Sequence, residues 1–251
     1  AGLAWLASVQ DEDGGWRAKS FALHVPNADK VGKELGQGNA EWEVAMTGLA
    51  LLAFSSAGHT TEQGDYTGPV GAGARFLTER VTSVTGWVVM ALNAGHKAEL
   101  EVGGLREGLR FLDSVTSSGY YEMRYTPSGQ GGTNRLGAIG ALCRMFLTGE
   151  VRVGRVTWNG RRMLNELPAA GKEDYYYWYY GSLVMFQLAG DFWEEWHTAL
   201  KPAILSVQTT NRQSPVAGSW PARGAYANNG GRVMQTALAV LMLTTYYRYD
   251  R

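Results

Sequence analysis

Residues 3–16 read Leu-Ala-Trp-Leu-Ala-Ser-Val-Gln-Asp-Glu-Asp-Gly-Gly-Trp, and this stretch decides the fold. Its first half has the apolar spacing of a short amphipathic helix, which we expect to end at Gln10. The acidic turn that follows contains two glycines and presents Trp16. The stretch therefore predicts a water-facing helix that is closed by a turn carrying a tryptophan.

The second predicted helix, over residues 41–54, is of a different kind. Its residues are small and apolar nearly all round, which predicts burial on most sides. Gly58 follows it and ends the unit. An amphipathic helix and then an all-apolar helix therefore form a two-helix unit.

The same unit recurs along the whole chain, and this repetition predicts an all-α fold. Further amphipathic helices are predicted at residues 71–80, 105–115, 160–167 and 196–208. Further apolar helices are predicted at residues 84–94, 134–147, 174–188 and 232–247. The last unit nearly repeats the opening pattern, since Gln208 is followed by Trp220. Alternation of the two kinds implies an outer ring of helices around a buried inner ring.

Composition and charge argue against two classes of partner. The chain has 23 basic and 23 acidic residues and no basic stripe, so we expect no nucleic acid partner. No apolar run approaches the roughly 20 residues of a membrane span. The single cysteine, Cys143, lies in an apolar run, which favours a buried structural thiol over a nucleophile.

The positions Trp5, Leu6, Gln10, Gly15 and Trp16 together resemble the QW repeat of squalene-hopene cyclases. The repeat is shared in weaker form with protein prenyltransferase β subunits and with prenyltransferase/squalene-oxidase repeat proteins of bacteria. The resemblance implies an (α/α)6 toroid, in which six inner helices surround a central apolar cavity. We expect one such domain over residues 1–251, which could be a fragment of a larger protein.

The number of helices disagrees with this toroid at one place. An amphipathic helix runs directly into an apolar one around Arg80 and Val81, without a Gly, Pro, Asn or Asp to turn the chain. The pattern contains five inner helices where the toroid has six. We therefore predict that one helical hairpin is missing between Arg80 and Val81.

The resemblance also says where catalytic residues would lie. Cyclases of this type protonate their substrate with an Asp-x-Asp-Asp motif, but the matching positions, residues 81–84, hold no acid. The comparable run, residues 11–13, belongs to the tryptophan turn, where we expect the carboxylates to cap the next element and to stay solvated. The cyclase motif is therefore absent.

Prenyltransferases bind zinc through an Asp-x-Cys pair and a His, and the matching positions here are Asp174, Tyr176 and Gln235. One ligand of three survives, so we predict neither a metal nor a cofactor. Asp174 is equally well explained as an N-cap of the helix that follows. The sequence leaves open whether the protein is an enzyme, with Asp174 and Glu43 as the catalytic candidates.

The aromatic run at residues 175–180 heads an inner helix. Tyr176 and Tyr180 are one turn apart, and we expect them to face the cavity while the other rings pack between the layers. The predicted ligand-binding residues all lie near the starts of inner helices: Trp42, Trp87, Asn134, Arg135, Tyr176, Tyr180, Arg232 and Gln235. The alternative is that the rings fill the toroid and the arginines pair with Glu43 and Asp174.

Three functions remain open on the sequence. The first is a non-catalytic ligand-binding or scaffolding domain, whose aromatic-lined cavity would take an apolar, isoprenoid or peptide ligand. The second is a divergent terpenoid cyclase or a prenyltransferase-like enzyme that acts on an isoprenoid. The third is a carbohydrate-active toroid, either a lyase or a hydrolase.

Overall fold

The computed structural model describes residues 1–39, 42–80, 109, 112–117, 122–124, 132–152 and 154–249. These residues are helical apart from turns and one isolated antiparallel bridge between Thr116 and Met123. The predicted all-α class is thereby confirmed for this part of the chain. Within the same ranges, no helix is both long enough and apolar enough to cross a membrane.

Nine α-helices are described. In chain order they are α1 (Gly2–Ser8), α2 (Ala28–Val31), α3 (Glu43–Ser56), α4 (Thr67–Arg80), α5 (Asn134–Thr148), α6 (Gly154–Leu164), α7 (Tyr175–Leu188), α8 (Asp191–Leu205) and α9 (Ala227–Tyr249). Helices α7 and α8 each contribute residues to both of the compact units defined below. Two short 3-10 helices, Ser20–His24 and Gly32–Leu35, lie between α1 and α3.

The chain divides into two compact units. The first comprises Ala1–Thr82, Pro168–Tyr179 and Ala199–Arg251, and the second comprises Ser83–Leu167 and Tyr180–Thr198. The single domain expected over residues 1–251 stays a prediction. The predicted junction between Arg80 and Val81 lies outside the described residues.

In the first unit, α3 packs against both α9 and α4, and α1 packs against α9 and α3. Helix α9 is the most buried element, since every residue from 231 to 242 is buried. It is kinked at Gly231, whose φ of 57° and ψ of −154° are not helical. The N–H of Arg232 that this kink releases donates a hydrogen bond of 2.7 Å to the carbonyl of Gly36. The segment before α3 is thereby attached to the head of α9.

Two tryptophan loops follow helices α1 and α8, and their hydrogen bonds match. In the first loop (residues 10–16), Trp16 Nε1 donates to the carbonyl of Leu6 at 2.7 Å, and the Trp16 N–H donates to Thr47 Oγ1 at 2.9 Å. In the second loop (residues 208–220), Trp220 Nε1 donates to the carbonyl of Ile204 at 2.9 Å. The Trp220 N–H donates to Thr236 Oγ1 at 3.1 Å.

The glutamines that open these loops also have matching roles. Gln10 Nε2 donates to the carbonyl of Gly14 at 2.9 Å, and Gln208 Nε2 donates to the carbonyl of Gly218 at 2.8 Å. Both glycines have positive φ, 88° and 84°, a conformation that glycine adopts at little cost. The first loop therefore connects α1 to Thr47 on α3, and the second connects α8 to Thr236 on α9.

In the second unit, α5 packs against α6, and a small apolar cluster of Leu112, Val115 and Met123 contacts the half-buried Cys143. The first part of α8 crosses close to α7, where Trp196 Nε1 donates a hydrogen bond of 3.0 Å to Ser182 Oγ. A Cβ added at Gly181 would lie 2.5 Å from the Trp196 ring, so a glycine is needed at this crossing.

Candidate functional site

Asp174 lies directly before α7, the helix that carries the aromatic run. Its Oδ1 accepts a hydrogen bond of 3.0 Å from the N–H of Tyr177, which satisfies one of the free donors at the start of the helix. The N-cap interpretation of Asp174 is confirmed by this contact. Thr133 has the same role before α5, because its hydroxyl accepts from the N–H of Leu136.

Most rings of the aromatic run in the first unit are part of the core. Tyr175, Tyr177, Trp178 and Tyr179 are buried, and Tyr175 stacks on Trp178 with ring centroids 5.6 Å apart. Tyr176 is half-buried and therefore reaches the surface of the unit. Of these five residues, Tyr176 is the one whose ring can contact a ligand without unfolding the helix.

The loop before α9 is pressed against the start of α7 at one glycine. Gly224 has a φ of 78°, and a Cβ added there would clash with the carbonyl oxygen of Glu173. The main chains of the two segments therefore touch at this point. This contact determines where the following residues, and Tyr226 in particular, are placed.

Tyr226 is held in a strained conformation and presents its ring to solvent. Its φ of 60° is in the left-handed region, which costs a non-glycine residue about 1 kcal/mol. The side chain is 40% exposed, although a tyrosine gains most by burial. Its ring lies 5.3 Å from that of Tyr176, and the two planes are tilted by 59°. We call these two residues the tyrosine pair.

Tyr175, which precedes Tyr176 in the chain, and Gln235 on α9 each bury a polar atom. Tyr175 Oη and Gln235 Oε1 have no hydrogen-bond partner among the described residues, and both side chains are fully buried. Burial, with the negative charge of Glu173, raises the pKa of Tyr175 above its ordinary value. The other end of the Gln235 amide donates to the carbonyl of Arg223 at 3.4 Å. Buried polar atoms of this kind are normally satisfied by protein, water or a ligand.

Arg232, by contrast, is a structural staple. It is 2% exposed, and its guanidinium donates to the carbonyls of Leu35 and Glu34 and to the hydroxyls of Ser219 and Thr209. Four of its five N–H donors are thereby used. Burial lowers the pKa of Arg232 to about 10, so it stays charged at neutral pH. Arg232 therefore joins three segments of the first unit.

Glu43, the first residue of α3, is paired with Arg17, which directly follows the first tryptophan loop. Arg17 Nε lies 2.8 Å from Glu43 Oε2, and the same guanidinium pairs with Asp13 and Asp11 at 2.6 Å each. Trp42, which precedes α3, is 40% exposed. The carboxylate of Glu43 is thus already paired, whereas the ring of Trp42 is open to solvent.

Asp11 departs from the solvated cap that the sequence predicts. Its side chain is 14% exposed, and it accepts hydrogen bonds from Arg17 and from the hydroxyl of Ser20. His24 Nε2 lies 2.7 Å from its other oxygen. Burial acts to raise the pKa of Asp11, but the three hydrogen bonds outweigh it and the pKa lies below its ordinary value. Asp11 therefore anchors the segment that follows the first tryptophan loop.

The remaining predicted site residues do not belong with this group. Asn134 and Arg135, at the start of α5, and Tyr180 on α7 are all in the second unit. Asn134 Oδ1 is buried without a hydrogen-bond partner among the described residues. Trp87 lies outside the described residues. Of the predicted residues, Tyr176 and Gln235 contact the loop before α9, through Tyr226 and Arg223 respectively.

Metal-binding side chains do not gather in the part of the chain that the structure describes. No group of three or more His, Cys, Asp or Glu residues there could hold a metal ion. Cys143 is also poorly suited to act as a nucleophile, because burial raises the pKa of its thiol to about 11.

Sequence reasoning missed Tyr226, Arg223 and Arg17. Arg17 had a readable signal, since it follows Asp13 at a spacing of four residues, which is typical of an ion pair. Tyr226 had a weaker one, because the glycines at 224, 230 and 231 indicate tight turns around it. No local pattern indicates that its ring meets that of Tyr176.

Comparison of the chain with family models, with curated proteins and with solved structures gives no match.

Proposed function

We propose that this chain is a squalene-cyclase-like (α/α)6 toroid that acts as a non-catalytic ligand-binding domain. Its ligand binds at the tyrosine pair, beside the heads of α7 and α9. The proposal keeps the toroid and the aromatic-lined cavity that the sequence resemblance implies, including the hairpin missing between Arg80 and Val81. The packing of the first inner helix, α3, against the last, α9, is what closure of such a ring requires, and it supports the toroid.

One observation supports the ligand-binding role: Tyr226 combines a strained backbone conformation with an exposed ring. The left-handed backbone of Tyr226 and the partial exposure of its ring, at 40%, both cost free energy. Backbone strain of this kind is concentrated at functional sites, where the surrounding structure maintains it. The fixed contact between Gly224 and Glu173 maintains it here.

The contacts of the two catalytic candidates support binding over catalysis. The Asp174 carboxylate caps α7, and the Glu43 carboxylate is paired with Arg17. A general acid or base has to exchange protons with a substrate, and these two groups are instead engaged in maintaining the fold. Both residues therefore have a structural explanation.

The tyrosine pair suits a ligand with an apolar face. The two rings contact each other at 5.3 Å and 59°, and together they offer an apolar surface on which an alkyl or isoprenoid chain, or an apolar peptide side chain, can lie. Trp42 offers further exposed aromatic surface at the head of α3. An isoprenoid and an apolar peptide are therefore the first ligands to test.

The test is a titration followed by intrinsic fluorescence, with farnesol, a leucine-rich nonapeptide and maltohexaose as separate probes. We expect saturable binding of farnesol or of the peptide. The variant Tyr226→Asn should weaken that binding at least tenfold, because aromatic anchors contribute on the order of 1–3 kcal/mol. Asparagine tolerates the left-handed backbone, so this variant keeps the local fold.

Tyr246→Ala is the matched control, since Tyr246 is an exposed tyrosine on the same helix α9 and is 51% exposed. This variant should bind as tightly as the wild type. Binding of maltohexaose alone would favour the carbohydrate-active alternative. If no probe binds, or if both tyrosine variants behave alike, the proposed site is wrong.

A further inference from the structure

The loop before α9 carries an exposed arginine, Arg223, whose main chain is fixed in place. Its carbonyl accepts a hydrogen bond of 3.4 Å from Gln235 Nε2 on α9. The next residue, Gly224, packs so closely on Glu173 that a Cβ there would clash with the carbonyl oxygen of Glu173. The main chain at Arg223 is therefore attached to α9 and to the segment before α7, while the residue itself is exposed.

The positive charge of Arg223 is not neutralised by a contact in the part of the chain that the structure describes. Its guanidinium forms neither a salt bridge nor a hydrogen bond there. The charge acts on two buried groups of the same unit, the phenol of Tyr175 and the guanidinium of Arg232. Burial raises the pKa of Tyr175, and Glu173 adds to this rise, whereas the two arginines oppose it. The two guanidiniums and this phenol therefore share one neighbourhood at the heads of α7 and α9.

Arg232 and Arg223 carry like charges, and neither contacts a carboxylate among the described residues. Burial lowers the pKa of Arg232 to about 10, Glu34 opposes this change, and Arg223 reinforces it. The side chain of Glu34 belongs to an exposed residue, and Glu173 Oε1 accepts a hydrogen bond of 2.9 Å from the N–H of Gly171. A negative group placed beside Arg223 would therefore offset a repulsion that the fold leaves in place.

This positive neighbourhood adjoins the tyrosine pair along the chain. Tyr175 directly precedes Tyr176, and Arg223 precedes Tyr226 by three residues. Three residues span at most about 11 Å even when they are fully extended. One end of a ligand that lies on the ring of Tyr226 is therefore within reach of the Arg223 guanidinium.

We propose that Arg223 binds the carboxylate of an apolar ligand whose chain lies on the tyrosine pair. This inference rests on the proposed function, because it names the head group of the same ligand. A guanidinium presents its N–H donors in a planar fork, and both oxygens of a carboxylate accept from that fork at once. One guanidinium also balances the single charge of a carboxylate, whereas four of the five donors of Arg232 are already used. The ligand is therefore an apolar monocarboxylate, whose carboxylate belongs to a lipid-like acid or to the end of a peptide.

The experiment titrates the whole chain with farnesoic acid and with farnesol at low ionic strength, followed by intrinsic fluorescence. These probes share an isoprenoid chain and differ at the head group. The wild type should bind the acid about fivefold more tightly than the alcohol, because an exposed ion pair contributes modestly. In Arg223→Gln this preference should disappear, while the affinity for farnesol stays the same. The substitution keeps the carbonyl of residue 223, to which Gln235 donates.

A leucine-rich nonapeptide with a free or an amidated C-terminus distinguishes the two sources of the carboxylate. A preference for the free C-terminus that Arg223→Gln abolishes would support the inference and assign the carboxylate to a peptide. The same result with farnesoic acid alone would assign it to a lipid-like acid.

Arg212→Gln is the matched control, because Arg212 is an exposed arginine of the second tryptophan loop in the same unit. This variant loses the same charge and should keep the preference for the acid. If it loses the preference as well, the effect is one of net charge and the inference fails. If the wild type binds each acid no more tightly than its neutral counterpart, Arg223 does not bind a carboxylate, although the proposed function stands. If none of these probes binds, both the inference and the proposed function are wrong.

Discussion

Trp220 Nε1 donates a hydrogen bond of 2.9 Å to the carbonyl oxygen of Ile204. Near the other end of the chain, Trp16 Nε1 donates an equivalent hydrogen bond to the carbonyl oxygen of Leu6. In both places the indole closes the turn that follows a helix, α1 or α8. The main-chain N–H of the same tryptophan donates to a threonine hydroxyl on a second helix, α3 or α9. One set of contacts thus serves two tryptophan loops of the first unit.

This duplication predicts that Thr47→Val and Thr236→Val destabilise the protein by similar amounts. Each change removes the acceptor of a buried tryptophan N–H, which costs about 1–3 kcal/mol. Urea unfolding followed by circular dichroism measures the difference. Thr244→Val is the control, because among the described residues the Thr244 hydroxyl donates to carbonyls of its own helix. This variant should change stability by less than about 0.5 kcal/mol. Equal effects of all three variants would contradict the prediction.

The close crossing of α7 and α8 at Gly181 predicts that substitution by alanine has opposite effects at Gly181 and at Gly48. Gly181→Ala places a Cβ 2.5 Å from the Trp196 ring and should cost about 1–3 kcal/mol. Gly48→Ala on α3 meets nothing within 4 Å and should stabilise by about 0.4–1 kcal/mol, because it restricts the unfolded chain. Thermal unfolding of the two variants decides the matter, and a stable Gly181→Ala protein would rule out the close crossing.

The Asp11 contacts predict a loss of stability in acid. Because the pKa of Asp11 is lower in the folded protein than the unfolded value of about 3.9, the unfolded state binds more protons there. The Asp11 contacts should therefore contribute completely to the free energy of unfolding above about pH 5. This contribution should decrease as the pH falls through the pKa of Asp11 in the folded protein. Asp11→Asn should be less stable at pH 7 and should show a flatter profile below pH 5.

The exposed Asp65 provides the comparison for this measurement. Asp65→Asn should reproduce the wild-type profile between pH 7 and pH 3. If Asp11→Asn also reproduces the wild-type profile, the charge of the Asp11 carboxylate does not stabilise the fold.

The raised pKa of Cys143 predicts a slow reaction with iodoacetamide. With a pKa of about 11, the folded protein holds far less thiolate at pH 8 than a free thiol does, on the order of a hundredfold less. Alkylation, followed by mass spectrometry, should be correspondingly slow and should accelerate in 6 M guanidinium chloride. A rate that is the same in both conditions would show that the thiol is open to solvent.

The helices were predictable because their two kinds of surface are visible in the residues themselves. The apolar helices α3, α5, α7 and α9 lie within a few residues of the predicted ranges, and the cap at Asp174 forms as expected. The helices predicted from Gly71 and Gly160 begin earlier in the structure, as α4 and α6. Both glycines lie inside these helices, and Gly160 allows close contact with Leu188. A glycine that permits close packing cannot be told from one that turns the chain by sequence alone.

The candidate site was only partly predictable, because its contacts connect distant parts of the chain. Gln235 and Arg232 of α9 are predicted to bind a ligand, yet Arg232 donates hydrogen bonds to the carbonyls of residues 34 and 35. The meeting of Tyr176 with Tyr226 depends on the main-chain contact of Gly224 with Glu173. Periodicity describes one helix at a time and carries no information about such contacts.

The two tryptophan loops differ in one respect that matters for how this protein can change. Gln10 reaches across four positions to Gly14, whereas Gln208 reaches across ten positions to Gly218, and both hydrogen bonds form. The anchors at each end therefore tolerate insertion of residues between them. Residues 210–215 offer a permissive point for grafting a foreign peptide, and for natural variation in length, without disturbance of the helices on either side.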